Sequence, residues 1–144
     1  MHVVGVNGCP GGWFAITWDV AAGTLIPAVH PSFPDLLAAY PDAAAIGVDI
    51  PIGLAADGER EADRAARKAL GSPRSSSVFP SPHPAVLALD AKTHPEASAF
   101  ARNLTGKGVT IQAFALYAKI AEVNRALTPD DQRRVVEVHP ELSF

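Results

Sequence analysis

A mixed α/β sheet of five strands flanked by helices is the fold class this sequence predicts, and three observations predict it. The N-terminal third consists of short segments rich in β-branched and aromatic residues, broken by glycine-containing turns. An almost wholly apolar run at 44–50 ends in Asp49-Ile50-Pro51, as a buried central strand does. Between that run and a last β-rich segment at 134–138, the apolar spacing changes to that of helices.

Residues 2–7, 13–19 and 24–30 are the first three strands. Gly8-Cys9-Pro10-Gly11-Gly12 and Ala21-Ala22-Gly23 separate them, so they form an antiparallel meander. Ser32 caps a short helix running to about residue 40, and the fourth strand follows at 44–50. From 59 to 70, Ala62, Ala65, Ala66 and Ala69 share one helical face while Arg60, Asp63, Arg64 and Arg67 share the other. The reading is a helix with one apolar face and one mostly basic face. The stretch 71–84 holds Pro73, Pro80, Pro82 and Pro84 among serines and reads as a long loop, of the kind that binds ligands or closes as a lid. Helices are expected over 95–104 and 110–127, the second with Leu116, Ile120, Val123 and Leu127 as its core stripe. Thr128-Pro129-Asp130-Asp131 has the composition of a helix start, and 134–138 is the fifth strand. Strands four and five, joined through helices, are expected to lie parallel with a right-handed crossover.

A chain of 144 residues with 48% hydrophobic and 19% charged residues suits one globular domain with one core, residues 1–144. The lone Cys9 cannot close an internal disulfide, which suits a reducing compartment. The first residues lack the basic segment and apolar run of a secretory signal, and no stretch reaches membrane-spanning length. A cytoplasmic protein with no membrane partner is therefore expected. The net charge of -3 argues against broad adhesion to nucleic acid or anionic membrane but leaves a local basic patch open.

Ligands of open α/β sheets gather outside the carboxyl ends of the strands, which directs attention to the polar residues ending each predicted strand: Asn7, Asp49, Glu137 and His139. Asp49 either caps the turn that follows or serves a metal or catalytic site. Glu137 alternates with Val136 and Val138, so it faces away from both. On an internal strand its carboxylate needs a cation or a hydrogen-bonding partner, and on an edge strand it needs only water. Glu141, beyond Pro140, either joins it or favours a helix N-terminus. His139 is either structural, or a general base or metal ligand. Gly8, Gly11 and Gly12 could let a phosphate approach the backbone, although a tight hairpin explains them equally. Arg60, Arg64 and Arg67, at helical spacing, could contact phosphates or form a solvated face.

Several segments together resemble a known family. They are Val4-Gly5-Val6-Asn7-Gly8-Cys9-Pro10-Gly11-Gly12-Trp13, Val48-Asp49-Ile50-Pro51-Ile52-Gly53-Leu54, Arg60-Glu61-Ala62-Asp63-Arg64-Ala65-Ala66-Arg67, Ser76-Ser77-Val78-Phe79-Pro80-Ser81-Pro82 and Glu137-Val138-His139-Pro140-Glu141-Leu142-Ser143-Phe144. The set resembles the DUF429 family, described as predicted RNase H-like nucleases, and spans nearly the whole chain. The resemblance implies an RNase H-like domain with Mg²⁺ or Mn²⁺ held by Asn7, Asp49 and Glu137. It further implies Asp49, Glu137, Glu141 and His139 in catalysis, and nucleic acid or another phosphate-bearing ligand as partner. Family members usually carry Asp at the position of Asn7 and continue past the position of residue 144. The resemblance thus also implies that a first-strand acid is missing, that the site can be inactive, and that a C-terminal portion is lacking. A truncated sheet would expose an edge or apolar patch, which favours a homodimer. Two other functions remain open. One is an actin-like nucleotide-binding protein or phosphotransferase, which shares the meander and its glycine-rich first turn. The other is a non-catalytic phosphate-binding or nucleic-acid-binding protein.

Overall fold

The structure, a computed structural model, describes residues 1–143; Phe144, the end of the last matching segment, lies outside the described residues. Burial alternates along the N-terminal strands β1 (His2–Cys9) and β2 (Gly12–Asp19): Val4, Val6, Trp13 and Ala15 are buried, while Gly5, Asn7, Phe14 and Ile16 face outward. That two-residue period is what makes these segments strands with one covered face. With β3 (Thr24–His30), β4 (Ala45–Val48) and β5 (Val135–Glu137) they form a sheet in the order β3-β2-β1-β4-β5. The first three strands pair antiparallel and β4 runs parallel to β5, as the sequence predicts, and β4 also pairs parallel with β1.

The first hairpin is as tight as its composition suggests. Cys9 pairs with Gly12, leaving Pro10 and Gly11 as the two turn residues. Gly11 has φ 83°, which the third position of a type II turn requires, and proline suits the position before it. A Cβ on Gly12 would lie 2.1 Å from the carbonyl oxygen of His30, so glycine alone lets β2 start this close to β3.

The chain divides into two compact units, one comprising Met1–Ile52 together with the chain from Glu122 onward, the other Gly53–Ala121. In the first unit, the covered sheet face packs with Phe33 and Leu36 of α1 (Phe33–Ala39) and with Val123, all three buried. The Trp13 and Phe33 rings meet edge to face at 4.9 Å. Glu122 ties them together: one carboxylate oxygen accepts from Trp13 Nε1 at 3.0 Å and the other from the Phe33 amide at 2.6 Å. Each fully buried large side chain here contributes roughly 1.5–3 kcal/mol. Ser32 caps α1 as expected, its hydroxyl accepting from the Asp35 amide at 3.2 Å. Thr128 and Asp131 form the anticipated capping box, but Pro129–Arg133 is a single 3-10 turn rather than an α-helix, because pairing in β5 resumes at Val135. A short helix, α6 (Pro140–Ser143), follows β5; its length was not legible beyond the Pro-Glu start.

The second unit contains α2 (Glu61–Leu70), α3 (Pro84–Ala88), α4 (His94–Thr105) and most of α5 (Ile111–Ala126), whose last five residues count with the first unit. Along α5, Ala113, Ile120 and Val123 are buried and Leu116 and Leu127 half-buried, which shifts the expected stripe slightly. The predicted loop at 71–84 includes a 3-10 turn, Arg74–Ser77. The unpredicted α3 begins on Pro84, whose missing N–H costs nothing in a first turn, and His83 Nδ1 accepts from the Ala85 amide at 3.0 Å. In α2 the expected faces are reversed. Ala62, Ala65 and Ala69 are exposed, whereas Arg60 and Asp63 are buried and Arg67 is half-buried. The polar face turns inward because it is satisfied there. Arg60 pairs with Asp63 (Nε to Oδ2, 3.2 Å) and donates to Gly53 O at 3.2 Å, Ser81 Oγ donates to Asp63 at 2.9 Å, and Arg67 pairs with Glu59 and donates to Val78 O at 2.8 Å. Hydrogen-bonded ions outweigh alanine burial, since a methyl group gains less than about 1 kcal/mol from leaving water. Among the described residues, no helix is long and apolar enough to cross a membrane.

Candidate functional site at the carboxyl edge of the sheet

Strands β1, β4 and β5 run in one direction, so their carboxyl ends lie side by side. Asn7 sits in β1, Asp49 directly follows β4, Glu137 ends β5 and His139 lies two residues further on. The backbone ladder extends through this edge: the Asp49 amide donates to Val6 O at 3.1 Å and the Val138 amide to Val48 O at 3.0 Å. Val6 and Val48 point to the covered face, so Asn7 and Asp49, one residue on, emerge on the other. Glu137 is in register with Val48 and therefore starts from the covered side.

This register decides which side chains meet. Asn7 Nδ2 lies 3.4 Å from Asp49 Oδ2, a long hydrogen bond. Glu137 Oε2 instead accepts from the Ile52 amide at 2.8 Å. Asp49 and His139 are half-buried, whereas Asn7, Glu137 and Glu141 are exposed, Glu141 in the first turn of α6. Burial pushes the Asp49 carboxyl above its ordinary pKa; the charge of Glu137 pushes it further, while His139 partly opposes both. His139 Nδ1 is buried and has no hydrogen-bond partner among the described residues. The Ile52 amide is a participant that sequence reasoning missed, and the turn-forming Pro51 and Gly53 on either side were the signal for it.

No group of three or more His, Cys, Asp and Glu side chains is arranged to hold a metal ion among the described residues. An all-protein cage is thus not what this edge offers. Mg²⁺ demands less, commonly one or two carboxylates completed by water and substrate phosphate. Asp49, with the Asn7 amide oxygen after a flip of that side chain, fits this smaller oxygen donor set, and the raised pKa of Asp49 marks a carboxylate whose ionisation a cation would relieve.

The shift has a consequence for stability. A carboxyl with a raised folded pKa contributes stability that is fully present below its unfolded pKa and is lost as pH rises through the folded value. Asp49→Asn, which keeps the shape without the charge, is therefore expected to be more stable than the wild type at neutral pH and to lose that advantage in acid. Thermal melts of the two proteins at pH 7 and pH 3 check this. A capping role for Asp49 would instead make the substitution destabilising at pH 7.

The glycine turn needs no ligand, since Gly11 and Gly12 have the backbone reasons given above and Gly8 pairs with Trp13 inside the hairpin. Of the three arginines, Arg60 and Arg67 are committed to internal partners; Arg64 is exposed, 4.0 Å from the Glu61 carboxylate.

Compared with known proteins, the chain matches a family model described as a protein of unknown function (DUF429) over residues 5–144. No curated protein and no solved structure shows a significant match. The glycine hairpin, the Asp49-Ile50-Pro51 strand end and the Glu137-Val138-His139-Pro140 segment all fall within the matched span, and the chain belongs to the DUF429 family.

Proposed function

We propose that the carboxyl edge of the sheet is an RNase H-like site for cation-dependent phosphodiester hydrolysis, with Asp49 as its principal carboxylate and nucleic acid as its substrate class. One observation carries this reading: Asp49 is held half-buried at the end of a central parallel strand, beside Asn7, with its ionised form disfavoured by burial and by Glu137. Unfavourable charge at the ligand-binding edge of an α/β sheet is the signature of a functional group rather than a stabilising one.

Asp49 would hold Mg²⁺ or Mn²⁺ together with the Asn7 amide oxygen, and Glu137, whose charge reaches Asp49, would add to the negative potential there. When bound, such a cation polarises a phosphoryl oxygen and makes a coordinated water a better nucleophile at neutral pH. The chain's own residues supply the rest. Ile52 fixes the Glu137 carboxylate by its backbone amide. His139, close enough to Asp49 for their charges to interact, would serve as the general base. Glu141, exposed in the first turn of α6, adds negative charge at the rim.

The test is cleavage of labelled single-stranded and double-stranded nucleic acid in Mg²⁺ or Mn²⁺ and in chelator. Slow cleavage is expected, abolished by chelation and reduced by at least about a hundredfold in Asp49→Asn. A second reading, binding without cleavage, is favoured by the neutral amide at Asn7 and by the lack of a three-ligand cluster among the described residues. Phosphate-ligand affinity that persists in chelator, with no cleavage under any condition, would decide for it.

A further inference from the structure

Gly47 stands inside β4 with its backbone outside the left-handed region that favours glycine, so its own conformation does not call for that residue. A glycine inside a strand weakens it and marks a bulge or a close approach by another group. Here it marks a close approach. A Cβ built on Gly47 would lie 3.0 Å from Cγ1 of Val138, 3.5 Å from its Cγ2 and 3.9 Å from its Cβ. The Val138 side chain therefore rests on the bare backbone of Gly47. Gly5, the partner of Gly47 in register on β1, differs: nothing among the described residues lies within 4 Å of a Cβ added there.

The contact adjoins the candidate site. Val48 is in register with Glu137, so Asp49 and Val138, one residue on, are neighbours across the two strands. The Val138 amide continues the ladder by donating to Val48 O at 3.0 Å. Both side chains leave the sheet on the same face, and Val138 leans back over Gly47 rather than standing beside Asp49. The next residue, His139, is held from both directions. Before it, Val138 is pinned by its amide and its isopropyl group. After it, α6 begins, the His139 carbonyl accepting from the Leu142 and Ser143 amides at 2.9 and 3.2 Å. With its backbone fixed on either side, the half-buried ring is placed close enough to Asp49 for their charges to interact. A displacement of Val138 passes to that ring because close-packed neighbours transmit strain.

We infer that Gly47 is a positioning residue of the candidate site: the side chain it lacks makes the seat for Val138, and that seat sets the placement of His139 against Asp49. The inference deepens the proposed site and takes the general-base role of His139 from that reading. The test follows the His139 ring resonances by NMR and the shift that Asp49→Asn produces in them, with circular dichroism to check folding. It compares the wild type with Gly47→Ala, Gly5→Ala, Val138→Ala, and Gly47→Ala combined with Val138→Ala. The methyl added by Gly47→Ala forces Val138 away, so the response to Asp49→Asn is expected to fall to about half or less of its wild-type size. In the double variant one methyl replaces another across the contact, and the response is expected to return. That rescue separates positioning from a general loss of stability, which a second substitution in the same sheet would only deepen. Gly5→Ala, made where the added group meets free space, is expected to leave the response unchanged. Val138→Ala alone empties the seat and is expected to weaken the response, which keeps the inference open to refutation even if Gly47→Ala does not fold. A wild-type ring that ignores Asp49→Asn overturns the inference, as does an unchanged response in folded Gly47→Ala or in Val138→Ala. So does a loss in Gly47→Ala that Gly5→Ala matches or that the double variant does not recover. Nucleic-acid cleavage is scored on the same proteins. Its absence from all of them, wild type included, counts against the nuclease reading, whereas the placement of His139 is decided by the ring response alone.

Discussion

Asp63→Ala is expected to lower the unfolding free energy by about 3–5 kcal/mol, a substantial part of the 5–15 kcal/mol that domains typically possess. The Arg60 and Asp63 side chains are 8% and 6% exposed. Both ions have left water, and their mutual contact together with hydrogen bonds from Ser81 and to Gly53 offsets that loss. Removing the carboxylate takes from the buried guanidinium the counter-charge that Asp63 supplies, and a backbone carbonyl such as that of Gly53 cannot replace a full negative charge. Urea denaturation gives the value directly. A double replacement with apolar residues of similar volume, Arg60→Met with Asp63→Leu, separates the pair's net contribution from the cost of orphaning one member. It is expected to recover most of the loss, because a buried pair seldom outperforms good apolar packing by much. A cost below about 1 kcal/mol for Asp63→Ala would mean that water reaches the pair and that the inward polar face of α2 is a surface feature.

That pair also shows where sequence reading reached its limit. The β-branched alternation of β1 and β2, the Pro10-Gly11 turn and the apolar run into Asp49 were legible because each depends on chemistry within a few residues. In α2 the periodicity was legible but not its direction. The spacing separates alanines from charged residues and cannot say which set is buried when the charged set finds carbonyls and a serine up to eighteen residues away. A similar limit applied at the candidate site. Asn7, Asp49, Glu137 and His139 could be found as polar strand ends, yet their grouping depends on register. Asn7 and Asp49 share one face because both follow buried valines paired across β1 and β4, while Glu137 is in line with Val48 and begins from the other. A shift of one residue in β5 would have placed Glu137 beside Asp49. The helix that follows the proline-rich loop was missed for a different reason, since prolines that exclude a helix interior also start helices, as Pro84 and Pro140 do.

Asn7→Asp is expected to increase affinity for Mn²⁺ or Mg²⁺ about thirtyfold while making the metal-free protein less stable at neutral pH. The side chain is 3.4 Å from Asp49, so the substitution exchanges an amide donor for a second carboxylate at contact distance. Without metal, the new charge adds to the burial and to the Glu137 repulsion that already disfavour ionised Asp49. With metal, the same charge becomes a ligand. A unit charge pair at about 4 Å is worth roughly 1 kcal/mol in water and 4 at an intermediate dielectric. The divalent charge doubles that, and carboxylate repulsion removes a comparable share, leaving roughly 2 kcal/mol at this partly exposed edge. Calorimetric titration measures the affinity, and melts with and without Mn²⁺ measure the linked stability, which should fall below wild type in chelator and rise above it at saturating metal. Both effects should disappear in Asn7→Asp combined with Asp49→Ala, since a single exposed carboxylate provides neither the repulsion nor the paired ligand. If Asn7→Asp gained no affinity and lost no stability, the two side chains would not share a site, and the phosphate-binding reading would have to stand on the backbone of the glycine hairpin alone.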